Sequence, residues 1–181
     1  MRVIAFAGSS SKNSINKKLA GYALSCFEDV DTELLDINNF EAPLYSIDRE
    51  KEFGVPALIQ AFGNKIDQAD LILISVAEHN GNYPAAFKNL YDWVSRIPER
   101  KVFNNTPVFL MSTSPGARGG ASSMEFATNR FPRDGAKILD TFSLPNFNDN
   151  FSDERIIENE LRAIFHNKID TIKAYFIDAG V

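Results

Sequence analysis

The chain of 181 residues contains one cysteine, and this scarcity excludes several kinds of protein. Cys26 has no second cysteine with which to form a disulfide within the chain, so we expect a reducing compartment. The first apolar run is too short for the hydrophobic region of a signal peptide. Both observations predict a cytoplasmic protein. At this length, a single domain over 1–181 can bury about 70% of its unfolded surface without a disulfide or a metal.

Positive charge and long apolar runs are also scarce. Nineteen Lys and Arg residues stand against 24 Asp and Glu residues, and the net charge is −5. The chain therefore lacks the basic excess with which proteins neutralise nucleic-acid phosphates. The longest apolar runs, such as residues 71–77, have about a third of the length of a membrane-spanning helix. We expect neither a nucleic acid nor a membrane as a partner.

The first informative segment is a short apolar run that ends in a glycine and a hydroxyl-rich loop. Residues 3–7 predict a buried strand, Gly8 permits a sharp turn, and a helix is predicted to follow Ser14. The unpaired N–H groups of a helix N-terminus, together with the serine and asparagine side chains of the loop, suit a phosphate monoester. The alternative is a solvent-exposed turn in which Ser14 is only the N-cap.

Two common phosphate loops do not match this segment. Counted from Gly8, a P-loop requires Gly-Lys-Ser/Thr at 13–15, where the chain has Asn13, Ser14 and Ile15. A dinucleotide-binding fingerprint requires glycine at 10 and 13, and both positions lack it. The loop therefore favours the phosphate of a bound cofactor over a nucleotide that is hydrolysed.

Apolar runs and amphipathic segments alternate along the rest of the chain. Strands are predicted at 3–7, 31–37, 70–76, 107–113 and 136–141. Helices are predicted at 15–27, 55–67, 84–96 and 153–176, with one more between the last two strands. This alternation predicts an α/β fold with a five-stranded parallel sheet and helices on both faces. With the phosphate loop after the first strand, we expect a flavodoxin-like three-layer sandwich with the strand order 2-1-3-4-5. A ligand crevice is then expected between loops 8–16, 77–83 and 112–120.

Two motifs at fixed spacing are more specific. The form G-S-x-R-x-x-S-x-N-x-x-L-A is matched by Gly8, Ser9, Ser14, Asn16, Leu19 and Ala20. The form P-E-Y-N-x-S-x-P-x-x-x-K-N-x-x-D-W is matched by Glu78, Asn80, Pro84, Lys88, Asn89, Asp92 and Trp93. A third loop has three glycines within residues 116–120, which would let a flat ring approach the backbone closely. Over at least residues 2–142, the chain thus resembles the NADPH-dependent FMN reductase family, which includes quinone, azo-dye and chromate reductases.

The resemblance implies FMN as the cofactor, NADPH or NADH as the reductant, and a small molecule as the electron acceptor. It implies that the FMN phosphate lies in the first loop and the flavin ring between the second and third loops. No catalytic side chain is implied, because the cofactor carries out the chemistry. The implied cofactor-binding residues are Ser9, Ser11, Ser14, Ile15 and Asn16 in the first loop, Ala77, Glu78, His79, Asn80 and Gly81 in the second, and Ser112, Ser114, Gly116 and Gly119 in the third.

Four positions depart from the pattern of that family. Ser11 and Ser122 stand where the family has an arginine, Ala77 replaces a proline, and His79 replaces a tyrosine. Without an arginine at position 11, phosphate binding should depend more on hydroxyl and backbone N–H groups. His79 either contacts the ligand or faces solvent. Glu78 either accepts a hydrogen bond from the flavin or caps the next helix.

Three functions are compatible with these motifs. The leading hypothesis is an FMN-dependent NAD(P)H:acceptor oxidoreductase that works by ping-pong hydride transfer and reduces quinones, flavins, azo compounds or similar acceptors. The second is an electron-carrier flavoprotein that passes single electrons to partner proteins and does not react with nicotinamide. The third is a phosphoacceptor module without flavin, which would need clustered acidic residues for magnesium. Glu78 alone does not supply them.

The helix predicted at 84–96 has more apolar residues than one core-facing stripe requires. They are Phe87, Leu90, Tyr91, Trp93 and Val94. A helix of a second subunit would explain them, and the resemblance implies a homodimer or homotetramer that packs through this helix. The alternative is a helix buried within the monomer.

Overall fold

The computed structural model describes residues 1–179 and places a parallel sheet of five strands at the centre of the fold. The strands are β1 (Arg2–Gly8), β2 (Asp31–Leu35), β3 (Leu71–Val76), β4 (Pro107–Thr113) and β5 (Lys137–Leu144). Their order is β2-β1-β3-β4-β5, and every neighbouring pair is parallel. The predicted fold class and strand order are confirmed.

Helices cover both faces of this sheet. They are α1 (Ile15–Ser25), α2 (Ile47–Phe53), α3 (Ala57–Asp67), α4 (Ala85–Val94), α5 (Ala121–Arg130), α6 (Phe147–Asn150) and α7 (Asn159–Ala179), with single 3-10 turns at Ile37–Phe40 and Phe131–Asp134. Each helix within residues 1–179 is too short or too polar to cross a membrane.

The central strands are buried on both faces, as parallel strands covered by helices must be. Ile4 and Phe6 of β1 pack into the core beneath α3 and α4, whereas Val3 and Ala5 point into the core beneath α1 and α7. This explains why β1, β3 and β4 have almost continuous apolar sequences rather than alternating ones.

The predicted last helix begins later than expected. Residues 151–156 form a small antiparallel hairpin of β6 (Phe151–Ser152) and β7 (Arg155–Ile156), and α7 starts only at Asn159. Asp153 and Glu154 at the hairpin turn adopt left-handed backbone conformations, which no helix can include. Helix α2 has no buried residue and therefore no apolar stripe, so the sequence pattern could not predict it.

The structure gives a different reason for the apolar residues of α4. Phe87, Leu90, Tyr91, Trp93 and Val94 are all buried within the single chain. The inference of a partner helix from these side chains is therefore wrong. They cover several directions because α4 packs against the sheet, against α3 and against the segment that follows β2.

Gly8 is required by packing rather than by a turn. Its backbone is outside the left-handed region, but a Cβ at this position would lie 3.0 Å from a ring carbon of Phe87. The end of β1 and the first helix after β3 therefore approach each other so closely that a side chain at position 8 would require the ring of Phe87 to shift.

Candidate functional site

Three loops begin at the same level on one edge of the sheet. Gly8 at the end of β1 pairs with Val76 at the end of β3, and Val76 pairs with Ser112 near the end of β4. Because these strands are adjacent and parallel, loops 8–16, 77–83 and 112–120 meet at one edge, where such folds bind ligands. The three loops predicted to flank the ligand therefore begin side by side.

The first loop presents unpaired donors at the N-terminus of α1. The N–H groups of Ile15 and Asn16 donate no hydrogen bond within residues 1–179. Ser14 is the N-cap of the helix, and its Oγ accepts the N–H of Lys17 at 3.1 Å. Its own hydroxyl proton remains available as a donor. Capping and phosphate binding are therefore compatible at Ser14.

The hydroxyl side of the first loop is accessible. Ser9 is half-buried and its Oγ accepts the N–H of Ser11 at 3.3 Å, while Ser11 itself is exposed. The Nζ of Lys17 lies 2.5 Å from an oxygen of Asp36, and this hydrogen bond lowers the pKa of that carboxyl. Since the charge of Lys17 is paired, the loop offers an anion neutral donors, the dipole of α1 and one exposed cation, Lys12, which has no carboxylate partner within residues 1–179.

Asn16 holds the first loop to the sheet. Its side chain is only 3% exposed, and its Oδ1 accepts the hydroxyl of Ser75 at 2.8 Å and the N–H of Thr113 at 3.1 Å. Its Nδ2 donates to the carbonyl of Thr113 at 3.2 Å. The carboxamide thus connects the start of α1 with the ends of β3 and β4. Any contact of Asn16 with a ligand must come from its backbone N–H.

The second loop forms a tight turn that closes on itself. His79 and Asn82 exchange two backbone hydrogen bonds, with N···O distances of 2.8 and 3.1 Å. Between them, Asn80 and Gly81 both have positive φ, at 53° and 81°, which is the pattern of a type I′ turn. The N–H groups of Asn80 and Gly81 donate no hydrogen bond within the described residues. Both residues are exposed, as is His79.

Glu78 joins the second loop to α5. Its Oε2 accepts the N–H groups of Ser122 and Ser123, at 2.9 and 3.1 Å, and so caps the N-terminus of that helix. From the sequence, Glu78 was a possible cap of α4, the next helix in the chain. In the structure it caps α5, the helix after that. Ala77, just before, is buried.

The third loop is held in place by serine hydroxyl groups behind it. Ser112 is fully buried, and its Oγ donates to the carbonyl of Gly119 at 2.7 Å, which also accepts the hydroxyl of Ser143 at 3.0 Å. Gly119 has a φ of 58°, and a Cβ there would lie 2.2 Å from Ser143 Oγ. Gly119 therefore serves the turn into α5 rather than the approach of a flat ring.

Gly116 is the glycine of this loop that faces open space. A Cβ built on it would meet no atom within 4 Å, and its backbone is exposed. Ser114 is half-buried, and its hydroxyl donates to the carbonyl of Gly116 at 3.1 Å. Among the three glycines at 116–120, close approach of a ring is thus possible at Gly116.

The second half of the longer motif lies behind the site. Asn89 accepts the N–H of Tyr45 at 2.8 Å and donates to the carbonyl of Ala42 at 3.1 Å. The indole N–H of Trp93 donates to the carbonyl of Pro43 at 2.7 Å. These bonds hold the segment after β2 against α4, where it forms one wall of a groove of about 510 Å³ next to the first loop.

Two structural residues of the site were not predicted. Ser75 and Thr113 hold Asn16, and both are buried. A signal for Ser75 exists, since it is the single polar residue of the otherwise apolar strand β3. Within residues 1–179, no group of three or more His, Cys, Asp or Glu side chains is placed to hold a metal ion.

The donors of the site fit a flavin mononucleotide. Free backbone N–H groups at a helix N-terminus suit its phosphate, and free N–H groups on a rigid turn suit a polar ring edge. The fold and this arrangement of loops define a protein of the flavodoxin-like class.

Comparison with known proteins gives the family. The profile of the NADPH-dependent FMN reductases matches residues 1–149, and the chain belongs to this family. The description of that family names NADPH and FMN. The predicted resemblance is confirmed.

Three similar proteins illustrate the relationship. A quinone reductase of Escherichia coli K12 is 31% identical over 125 residues, and a 2-hydroxy-1,4-benzoquinone reductase of a Burkholderia species is 35% identical over 123 residues. Each alignment covers 67% of this chain but only 64% of the relative. The structure of FerB, a flavoenzyme NAD(P)H:(acceptor) oxidoreductase of Paracoccus denitrificans, has a TM-score of 0.74 and 23% identity. It covers 96% of this chain and 97% of its own, and it shows the shared fold.

We expect Asn16→Ala to destabilise the protein by about 2 to 4 kcal/mol, because the hydroxyl of Ser75 and the N–H of Thr113 would be left buried without partners. Urea unfolding measures the change. Asn13→Ala is the control, since Asn13 is exposed in the same loop, and we expect less than about 0.5 kcal/mol. Equal effects of both substitutions would contradict the role given to Asn16.

Proposed function

We propose that this protein is an FMN-dependent NAD(P)H:acceptor oxidoreductase that reduces quinones and similar small acceptors. The observation that carries the proposal is the pair of free donor sets at one sheet edge, at Ile15 and Asn16 on one side and at Asn80 and Gly81 on the other. The names of the relatives support a quinone as acceptor. Flavins and azo compounds are further candidates.

The residues of the chain have binding and positioning roles in this proposal. The N–H groups of Ile15 and Asn16, with the hydroxyl groups of Ser9, Ser11 and Ser14, hold the phosphate. When bound, FMN supplies the redox chemistry, since it accepts a hydride from NAD(P)H and delivers electrons to an acceptor.

The ring side of the proposed site is formed by backbone. The N–H groups of Asn80 and Gly81 stabilise negative charge on the polar edge of the ring, because fixed dipoles need no reorganisation during the reaction. Gly116 leaves room for the ring, and exposed His79 lies at its entrance. No side chain acts as a catalytic acid or base, and reductant and acceptor use the same open side in turn, in a ping-pong cycle.

The proposed assembly is a homodimer. Its subunits pack through a surface other than the apolar side chains of α4, which are buried within the single chain. Leu44, Ile47 and Phe53 are exposed on and before α2. We refer to these three side chains as the apolar patch, and Glu50 of the same segment pairs with Arg96, just after α4, at 2.9 Å. Several exposed large apolar side chains in one short segment are a feature of protein interfaces. The single flavin-binding domain over 1–181 and the cytoplasmic location stay predictions.

The central experiment is anaerobic reduction of the protein after loading with FMN. We expect NADPH or NADH to bleach the flavin absorbance without any partner protein, and a quinone added afterwards to restore it. Protein that binds no added FMN would contradict the proposal. Protein whose bound FMN is reduced by dithionite but by neither nicotinamide would instead support the electron-carrier alternative.

Ser14→Ala tests the phosphate position. We expect FMN to bind about tenfold more weakly, because one hydrogen bond to a charged group is lost. The substitution also removes an N-cap, at a cost of about 1 kcal/mol in stability. Ser46→Ala is therefore the matched control, since Ser46 caps α2 and lies outside the three loops. Fluorescence titration with FMN should show a loss of affinity for Ser14→Ala alone, and unchanged affinity would place the phosphate elsewhere.

The assembly is tested with Phe53→Asp, measured by light scattering after size exclusion. A charge in the apolar patch should convert dimer to monomer. Ile177→Asp is the control, since Ile177 on α7 is equally exposed, at 76% against 74% for Phe53. If the wild type is a monomer, or if both variants behave alike, the proposed contact is wrong.

A further inference from the structure

Three of the longer helices begin at the sheet edge where the flavin site is proposed. Helix α1 follows β1, α4 follows β3 and α5 follows β4, so the N-termini of all three lie at that edge. A helix N-terminus carries partial positive charge and N–H groups that have no acceptor within the helix, and both attract anions. Each of these helices is therefore a competitor for the phosphate of the cofactor.

The N-termini of α1 and α4 have free donors. The N–H groups of Ile15 and Asn16 in α1, and those of Ala85 and Ala86 in α4, donate no hydrogen bond within residues 1–179. Helix α1 is also preceded by the serine hydroxyl groups of residues 9–11. An anion therefore finds unused backbone donors at both helices, and additional hydroxyl groups at α1.

Helix α5 differs, because its first N–H groups already have acceptors. The N–H of Ala121 donates to the carbonyl of Arg118 at 3.0 Å. The N–H groups of Ser122 and Ser123 donate to Oε2 of Glu78, at 2.9 and 3.1 Å. The N-cap residue of α5 is a glycine, which has no side-chain acceptor of its own. The carboxylate of another loop thus occupies the position at α5 that an external anion would take.

The charge of Glu78 is not neutralised by a cation. The residue is half-buried, and it forms no ion pair with a side chain of residues 1–179. The two N–H groups and the dipole of α5 stabilise its negative charge. A phosphate that approached α5 would be repelled by this charge and would find no free donor in the first turn of the helix.

We propose that Glu78 determines specificity as an internal anion, which excludes phosphate from α5 and so fixes the direction in which FMN binds. The phosphate is directed to α1, where free N–H groups and serine hydroxyl groups lie together, and the third loop is left for an uncharged part of the cofactor. The direction of FMN rests on the proposed function. The exclusion of phosphate from α5 rests on the contacts of Glu78 alone.

The experiment is a titration of the full chain with inorganic phosphate, followed by the backbone amide resonances in proton–nitrogen correlation spectra. In the wild type, we expect phosphate to shift the resonances of Ile15 and Asn16 and to leave those of Ser122 and Ser123 unchanged. In Glu78→Ala, the two serine resonances should also shift and reach saturation. Phosphate affinity at α5 should rise at least about tenfold over the wild type, because two hydrogen bonds to a charged group become available.

Two further variants separate the charge of Glu78 from its hydrogen bonds. Glu78→Gln keeps an oxygen acceptor for α5 without the negative charge, so its phosphate affinity at α5 should lie between those of the wild type and Glu78→Ala. Glu125→Ala is the matched control, since Glu125 is an exposed carboxylate of the same helix and accepts no N–H of the first turn. We expect this control to respond to phosphate as the wild type does.

The direction of the cofactor is tested by comparing FMN with riboflavin, which lacks the phosphate. In the wild type, FMN should shift the resonances of Ile15 and Asn16 and riboflavin should not. In Glu78→Ala, part of this phosphate-dependent shift should move to Ser122 and Ser123. If all of it stays at the first loop, Glu78 does not set the direction.

The outcomes separate this inference from the proposed function. A phosphate-dependent shift of Ser122 and Ser123 in the wild type, or none in a folded Glu78→Ala, would overturn the exclusion of phosphate by Glu78. If Glu78→Ala does not fold, Glu78→Gln decides, and a response at α5 equal to that of the wild type would overturn it. A response at α5 in Glu78→Ala, with no response of Ile15 and Asn16 to phosphate or FMN in any variant, would retain the exclusion and reject the phosphate position of the proposed function.

Discussion

The carboxamide of Asn16 is the interaction on which the site depends most. One buried side chain accepts from Ser75 on β3 and exchanges two hydrogen bonds with the backbone of Thr113 on β4. A buried amide without hydrogen-bond partners raises the free energy of the folded state. The N-terminus of α1 and the ends of β3 and β4 therefore have one favourable relative position. The N-terminus of α1 is thereby directed at the crevice, and two of the three loops are fixed with respect to each other.

Similar cross-connections fix the third loop. Glu78 reaches from the end of β3 to the first N–H groups of α5, and Ser112 holds the carbonyl of Gly119 from inside the sheet. Each of these polar groups comes from a strand end and bonds to a neighbouring loop. The accessible part of the crevice is therefore mostly backbone, while polar side chains of the motifs, such as Asn16 and Glu78, lie behind it and set its shape.

The sequence predicted the fold better than it predicted residue roles. The apolar strands and their alternation with helices were sufficient to predict a parallel sheet, because parallel strands are buried on both faces. The phosphate loop after the first strand indicated the flavodoxin-like order that the structure has. The hairpin at 151–156 was missed, since two-residue strands have no periodicity. The roles of Asn16 and Gly8 depend on tertiary contacts that no sequence pattern contains. Asn16 bonds to Thr113, 97 positions away, and Gly8 lies against the ring of Phe87. The buried apolar residues of α4 could not be told from an interface, because periodicity measures how apolar a face is and not what covers it.

The type I′ turn at Asn80 and Gly81 has a consequence for the thermodynamics of ligand binding. Its two left-handed residues and its paired ends fix the backbone before any ligand arrives. The conformational entropy of this loop is thus lost during folding rather than during association. A ligand that meets the two free N–H groups gains their hydrogen bonds without ordering a flexible segment, so even a modest number of contacts can retain a cofactor.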